Sequence, residues 1–373
     1  MECYQAVAGS HLPPLFSERV NVVIFYDFEV FKEDWLAVFI DVTKKKEYVI
    51  INNPDELKAL YEANSKDIWV GYNNRHYDQY IFKGILLGMN PKRINDWIIV
   101  EKREGWQFSS AFNKVPMINY DVMPNPPVGL KTLEGFLGSN IKETDVDFRI
   151  NRKLTKEEIE MTVFYCRHDV EETIKVFLEK IDEFNAMHGI IQAFPDIVNL
   201  SDIGDSEARI TAKVLGCSRR SFEDEFDFYF LPCLQLKKYK YVQDWFEQKR
   251  QEALSMDLAH MDKYSKRTWY KEQGLETVVA GIPHSFGFGG VHGATATPIH
   301  KTGQLLHVDV NNYYPSMLIA WGLVTRAATN DNYPLVYNTR KAMKEKQIAA
   351  KNAGNKKEVK RWKKAQLPYK KML

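Results

Sequence analysis

The sequence predicts an α/β protein, and three observations predict it. Short apolar runs bounded by turn or charged residues alternate with helical patterns across the first half of the 373 residues. Carboxylates stand where several of those runs stop, and again inside one long helical stretch. The charge is also divided unevenly along the chain. Residues 338–373 hold thirteen of the 51 Lys and Arg but only two of the 49 Asp and Glu, a local balance of +11 that leaves −9 for residues 1–337. A polyanion-binding tail on a body of metal-binding acids fits that division, although a basic run alone is more often a solvated helix face.

Bulk properties narrow the class. Hydrophobic content of 45% and charged content of 27% suit a soluble globular protein. The length suits two or three domains with their own cores. No run of about eighteen apolar residues occurs and no basic-then-apolar leader follows Met1, so a soluble, cytoplasmic protein with no membrane partner is expected. Cys3, Cys166, Cys217 and Cys233 are scattered without a Cys-x-x-Cys spacing. They read as reduced thiols and argue against structural zinc.

Taken in order, residues 1–20 lack periodicity and contain Pro13-Pro14, a lead-in. Val22–Tyr26, Trp35–Val42 and Tyr48–Ile51 form a strand meander. A helix follows Asn53-Pro54, and Ile68–Tyr72 is a short strand. His76–Leu87 reads as a helix stopped near Gly88, Val115–Tyr120 as a strand ending at Asp121, and Leu130–Leu137 as a helix stopped by Gly138. Thr155 with Glu158 three residues on is a capping box, opening a helix that runs to about Phe184. These elements give an α/β domain over 21–187. Residues 188–284, with helices at Ser206–Leu215 and Tyr241–Leu254, read as a connecting module. A glycine cluster, Ser285 to Gly293, opens a new unit over 285–337, and a helix at Asn338–Ala350 begins the basic tail, 338–373. The glycines allow close backbone approach or sharp turns, but no dinucleotide-binding spacing is present.

Three groups in the first domain carry chemistry. Asp27 and Glu29 are two apart on a strand, so both point to one face, where their repulsion calls for a cation. Gly71-Tyr-Asn73-Asn74-Arg-His-Tyr77-Asp78 is an Asn-rich turn leading into a helix. Its amides can touch a nucleotide, or can simply cap the helix. Tyr165 and Asp169 are four apart and share a helix face, so the phenol lies over the carboxylate. Each group alone arises often by chance. Asp121 also ends a strand and is a weaker candidate left outside the site. His168 is rotated about 100° from its neighbour on the helix and reads as a packing or surface residue.

In this order the groups resemble the DEDD exonucleases of proofreading domains, in the subclass with Tyr four residues before the last Asp. The resemblance spans about 20–185. It implies an RNase H-like fold and hydrolysis of a 3′-terminal phosphodiester with two Mg2+ or Mn2+ ions, about 3.5–4 Å apart. Asp27, Glu29 and Asp169 would bind metal directly and Asp78 through water. Tyr165 would orient the attacking water, and Asn73 or Asn74 would contact the terminal nucleotide.

Further on, Asp309-Val-Asn-Asn-Tyr-Tyr314-Pro-Ser follows an apolar strand pattern, Leu305–Val310. It resembles the first palm motif of family B DNA polymerases, usually Asp-x-x-Ser-Leu-Tyr-Pro-Ser, and departs from it at Asn312 and Tyr313. The resemblance implies that Asp309 holds catalytic metal and that Tyr314 lies under the sugar of the incoming dNTP. Arg340 and Lys344 are four apart on a helix and would grip a triphosphate, as the matching fingers pair does. Lys370 fits the lysine of the Lys-x-x-x-Asn-Ser-x-Tyr-Gly motif, with Lys371 as the alternative alignment. The chain stops one residue short of that Asn and lacks the second palm motif, Tyr-x-Asp-Thr-Asp. An amino-terminal part of a bacteriophage or prophage family B polymerase is therefore expected: an exonuclease domain, a helical connecting module and an incomplete palm and fingers. Its partners would be primer-template, single-stranded DNA and dNTPs, and trimming is expected where extension is not, unless another chain supplies the missing half. A stand-alone DEDD nuclease and a DNA tether with a vestigial nuclease are the alternatives.

Overall fold

A computed structural model describes residues 22–139, 141, 146–217, 226, 230, 232–297, 302–304, 306, 312–326, 328 and 331–373. The chain forms two compact units, Met1–Cys217 with Ala328–Leu373, and Ser218–Ala327. Each takes in parts of several of the segments read from sequence.

The first unit is built on a five-stranded mixed sheet. Its strands are β1 (Val23–Val30), β2 (Trp35–Asp41), β3 (Lys46–Ile51), β4 (Ile68–Gly71) and β5 (Ile118–Asp121), in the order β3-β2-β1-β4-β5. The first three pair antiparallel, and β4 and β5 add parallel to β1. Strand β1 continues through Asp27 and Glu29 instead of stopping before them. Ladder pairing with β2 to Val30↔Trp35 carries it on, and Phe28 and Val30 are buried in the core between the two acids and beyond them. That packing outweighs the poor strand preference of Asp and Glu.

Alternation along β1 makes two different faces. Ile24, Tyr26, Phe28 and Val30 join Phe39, Trp69, Ile81 and Phe82 in the main core, beneath helices α1 (Pro54–Ala63) and α2 (Asp78–Leu86). The opposite face begins apolar, with Phe25 edge-on to Phe177 at 5.2 Å, and becomes acidic at Asp27 and Glu29. Helix α3 (Leu130–Leu137) ends at Gly138, whose φ of 72° is one that favours glycine. Helix α4 (Lys156–Glu179) has the capping box at Thr155 and Glu158. It ends earlier than the apolar pattern suggests, because Lys180 leaves helical geometry and α5 (Ile181–Ala193) restarts beyond it. Helix α6 (Glu207–Val214) follows in the same unit.

The second unit contains α7 (Lys240–Ser255), α8 (Lys263–Glu272) and a three-stranded antiparallel sheet. The sheet strands are β6 (Leu275–Val279), β7 (Ile282–Gly287) and β8 (Gly290–Gly293). The glycine cluster thus forms the β7–β8 hairpin, with Gly287 paired to Gly290. A small core of Phe226, Ala253, Leu258 and Trp269 holds this unit together. Tyr314 lies on α9 (Tyr313–Ala320) and is exposed. Asp309 and most of the Leu305–Val310 strand reading lie outside the described residues.

Residues after 331 return to the first unit as α10 (Asn332–Asn352), α11 (Lys356–Ala365) and α12 (Leu367–Lys371). Helices α10 and α11 form a hairpin turned at Gly354, with Lys346 4.7 Å above the Trp362 ring. Helix α12 packs on α5 so closely that a Cβ on Gly189 would lie 2.6 Å from Pro368 Cγ. Arg340 and Lys344 lie on α10 and Lys370 on α12. No helix among the described residues is long and apolar enough to cross a membrane.

Candidate active site

Three separated segments meet on the acidic face of β1. Strand β4 pairs with β1 only from Val23 to Phe25, leaving the far edge of β1 open. Asp78, the first residue of α2, fills that edge, and its Oδ1 accepts the Phe28 N–H at 3.3 Å. A backbone donor that has lost its ladder partner is thereby satisfied by a carboxylate. From the other side α4 lays Tyr165, Cys166 and Asp169 over the same spot. The Cys166 thiol lies 3.5 Å from Asp27 Oδ2 and from the Asp27 carbonyl. Tyr165 hydrogen-bonds to Asp169.

The electrostatics of this group are those of acids forced together out of water. Burial first, then the charges of Asp78, Glu29 and Asp169, push Asp27 well above the usual carboxylate range. Glu29 is raised in the same way by burial, Asp169 and Asp78. Burial raises Asp78 to about 8, even though the Phe28 N–H it accepts pulls the other way. Asp169 is raised by burial against the downward pull of Lys131. Burial and the nearby acids also raise the Tyr165 phenol and the Cys166 thiol. Carboxylates that raise one another's proton affinity in this way lose their protons together more readily when a cation joins them.

The donor set suits a hard divalent ion. Oxygens of Asp27, Glu29, Asp78 and Asp169 fit Mg2+ or Mn2+ in kind. One oxygen each of Asp27 and Glu29 and the Cys166 sulfur lie within 4.8 Å of one another. The sulfur is the least suited of the three, because its raised proton affinity keeps it a thiol that donates to Asp27.

The Asn-rich turn divides its two amides by burial. Asn74 is fully buried; its Nδ2 donates to Asn119 Oδ1 at 2.9 Å and to the Tyr120 carbonyl at 3.2 Å. Gly71 is needed beneath it, since a Cβ there would come within 2.8 Å of Asn74. Asn73 is half-exposed, with φ of 56°, and is held through its backbone. Asp121 does the holding. Its carboxylate accepts N–H groups from Asn73, Arg75 and Met123 at 2.9–3.1 Å, so this acid shapes the turn.

Two further groups escaped the sequence reading. The Lys131 ammonium lies 2.5 Å from Asp169 Oδ1 and 2.9 Å from Glu134 Oε1. Glu134 is completely buried, and its second oxygen faces His168 Nε2 at 3.4 Å. His168 is therefore a buried partner of Glu134. The available signal was Glu134 itself, an acid three residues after Lys131 in a short, mostly apolar helix. Tyr314 belongs to the second unit, whereas Arg340, Lys344 and Lys370 belong to the first.

No protein-family model matches the chain, and no curated protein matches it. Among solved structures, the family B DNA polymerase from the hyperthermophilic archaeon Pyrobaculum calidifontis is similar at a TM-score of 0.34 and 14% identity. The similarity covers 55% of this chain and 31% of that polymerase, so the chain spans about a third of its length. Likeness at that level says nothing of activity.

Proposed function

We propose that the first unit is a metal-dependent 3′→5′ exonuclease acting on single-stranded DNA ends. One observation carries this reading: Asp27 and Glu29 on β1 feel the charges of Asp78 from α2 and Asp169 from α4, and Tyr165 hydrogen-bonds to Asp169. The strand order β3-β2-β1-β4-β5, with β2 antiparallel to its neighbours, supports an RNase H-like arrangement of the domain. Two divalent cations held by those carboxylates would supply charge stabilisation at a phosphodiester. Tyr165, at the rim of the acids, orients the attacking water. Asn73 faces the terminal nucleotide, because Asn74 is committed to the protein interior.

The wider reading is a bacteriophage or prophage family B polymerase part working in a bacterial cytoplasm, with primer-template as its partner. In it Asp309 and Tyr314 belong to the start of a palm, and Arg340, Lys344 and Lys370 face the phosphates of a dNTP. The motif resemblances around Asp309 and in the basic tail support it. The test is digestion of 5′-labelled single-stranded DNA with Mg2+ by the chain and by D27A. Stepwise 3′ trimming lost in the variant is the expected result. No trimming by the parent chain removes the reading in favour of a tether.

A further inference from the structure

We propose that Cys166 makes the acidic face of β1 a site for a thiophilic divalent ion, Zn2+ or Cd2+, held by its sulfur together with Asp27 and Glu29. The site stands on its own geometry. Its consequence, that such an ion displaces the hard ions and stops trimming, rests on the exonuclease reading. That reading uses oxygen ligands alone and gives no task to the buried sulfur beside them.

The sulfur is placed as a ligand would be. One oxygen each of Asp27 and Glu29 and the Cys166 Sγ lie within 4.8 Å of one another, and Sγ is 3.5 Å from Asp27 Oδ2. A tetrahedral zinc, with bonds of about 2.3 Å to sulfur and about 2.0 Å to oxygen, spans a sulfur–oxygen edge of about 3.5 Å. Cys166 and Asp27 already stand at that spacing, and Glu29 has only to close in. The sulfur also hydrogen-bonds with the backbone of Val38, the β2 residue paired with Asp27, which fixes its position. Glu29 points to a cation independently. It is only 8% exposed, and among the described residues its carboxylate accepts no hydrogen bond. A buried carboxylate without a donor is costly unless a cation reaches it. Asp27 is partly exposed, which gives an ion a way in.

The choice of ion follows from the donors. Mg2+ and Mn2+ prefer oxygen and leave the thiol as it is, whereas Zn2+ and Cd2+ bind thiolate. Coordination exchanges the thiol proton for the metal, and the proton leaves to the buffer. A cysteine present only to pack against β1 would give no sulfur-to-metal signal.

The test uses the full chain with C3S, C217S and C233S, which leaves Cys166 as its one thiol. Added Cd2+ is expected to raise the ultraviolet sulfur-to-cadmium charge-transfer band to an end point of one ion per chain, and E29Q in that background is expected to weaken binding. Zn2+ affinity, read by competition with a chromophoric chelator, is expected to fall about a hundredfold when C166A is added, since even the outer partners of metal ligands are worth about 10–100-fold. Mn2+ affinity, read by electron paramagnetic resonance, should change far less, because sulfur is a poor ligand for that ion. Zn2+ added to a trimming reaction in Mg2+ should inhibit the chain with Cys166 at concentrations that spare the chain with C166A. If the serine changes unfold the chain, the difference in band between the parent and C166A gives the same reading. No band from Cys166 in a folded chain, or Zn2+ affinity unaltered by C166A, overturns the proposal whatever the chain does to DNA. A Cys166 band from a parent that does not trim in Mg2+ leaves the ion site standing and removes the nuclease reading.

Discussion

The acidic face of β1 and the α10–α11 hairpin belong to one compact unit and use charge in opposite ways. On β1 Glu29 is buried and Asp27 partly so, and burial together with the neighbouring acids raises their proton affinities. On the hairpin most lysines are exposed, Lys346 lies over the Trp362 ring, and Arg361 pairs with Glu358. Solvated charge costs little and needs no explanation by function. Buried like charge is costly, and a fold keeps it only where something bound offsets the repulsion. The same comparison ranks the two functional readings: crowding speaks for the metal site more strongly than basic composition speaks for DNA contact.

The largest effect expected is on turnover. Asp27→Ala should lower 3′ trimming by about 10³-fold or more, as removal of a charge-stabilising group from a reacting centre does. The same variant should melt no lower than the parent without metal, since it removes one of the mutually repelling acids. A variant that both stops trimming and melts far below the parent would mean that Asp27 holds the fold together, and the contrast with the hairpin would fail.

The hairpin has its own test, of smaller size. Replacing Lys356, Lys357, Lys360, Lys363 and Lys364 together by Gln should weaken primer-template binding about tenfold or more at low salt and flatten its salt dependence. Mg2+-dependent trimming of a short single strand should hardly change. An unaltered salt slope would assign these side chains to solvent.

A pH experiment sharpens the contrast further. Asp78 is raised to about 8 in the folded chain, against an ordinary value near 3.8. Between those values the folded state holds a proton that the unfolded chain releases, so metal-free stability falls as pH rises from about 4 through 8. Mg2+ should remove much of that slope by taking the place of the protons. The measurement is the melting temperature from pH 5 to 8.5, with and without Mg2+. A metal-free melting temperature that rises with pH would contradict the crowding.

Much of this contrast was legible in the sequence. The spacing of Asp27 and Glu29, and of Tyr165 and Asp169, needs only the periods of a strand and a helix. Thr155 and Glu158 marked the start of α4 because a capping box is local. What escaped depended on contacts distant in sequence. Strand β1 runs on because Phe28 and Val30 meet residues from other elements. Asp121 reads as a strand-end acid until its hydrogen bonds to Asn73 and Arg75, about 50 residues back, are seen. Lys131 and Glu134 look like an ordinary surface pair on a helix until α4 covers them.

The smallest effect expected concerns that helix, and it separates holding the site from forming it. Thr155→Ala removes the hydroxyl that accepts the Glu158 N–H at 3.2 Å and should cost about 1 kcal/mol, the usual size for an N-cap. Glu158 keeps its other partners, the Thr155 N–H at 2.7 Å and Arg152 at 2.7 Å, which favours the lower part of that range. Tyr165 lies ten residues into the helix, beyond two turns of intact backbone hydrogen bonds. Denaturant unfolding should therefore shift while trimming well below the melting temperature stays within about twofold. A larger loss of trimming would show that fraying at the start of α4 reaches Asp169, and that the crowded acids depend on the whole helix and not on its middle turns alone.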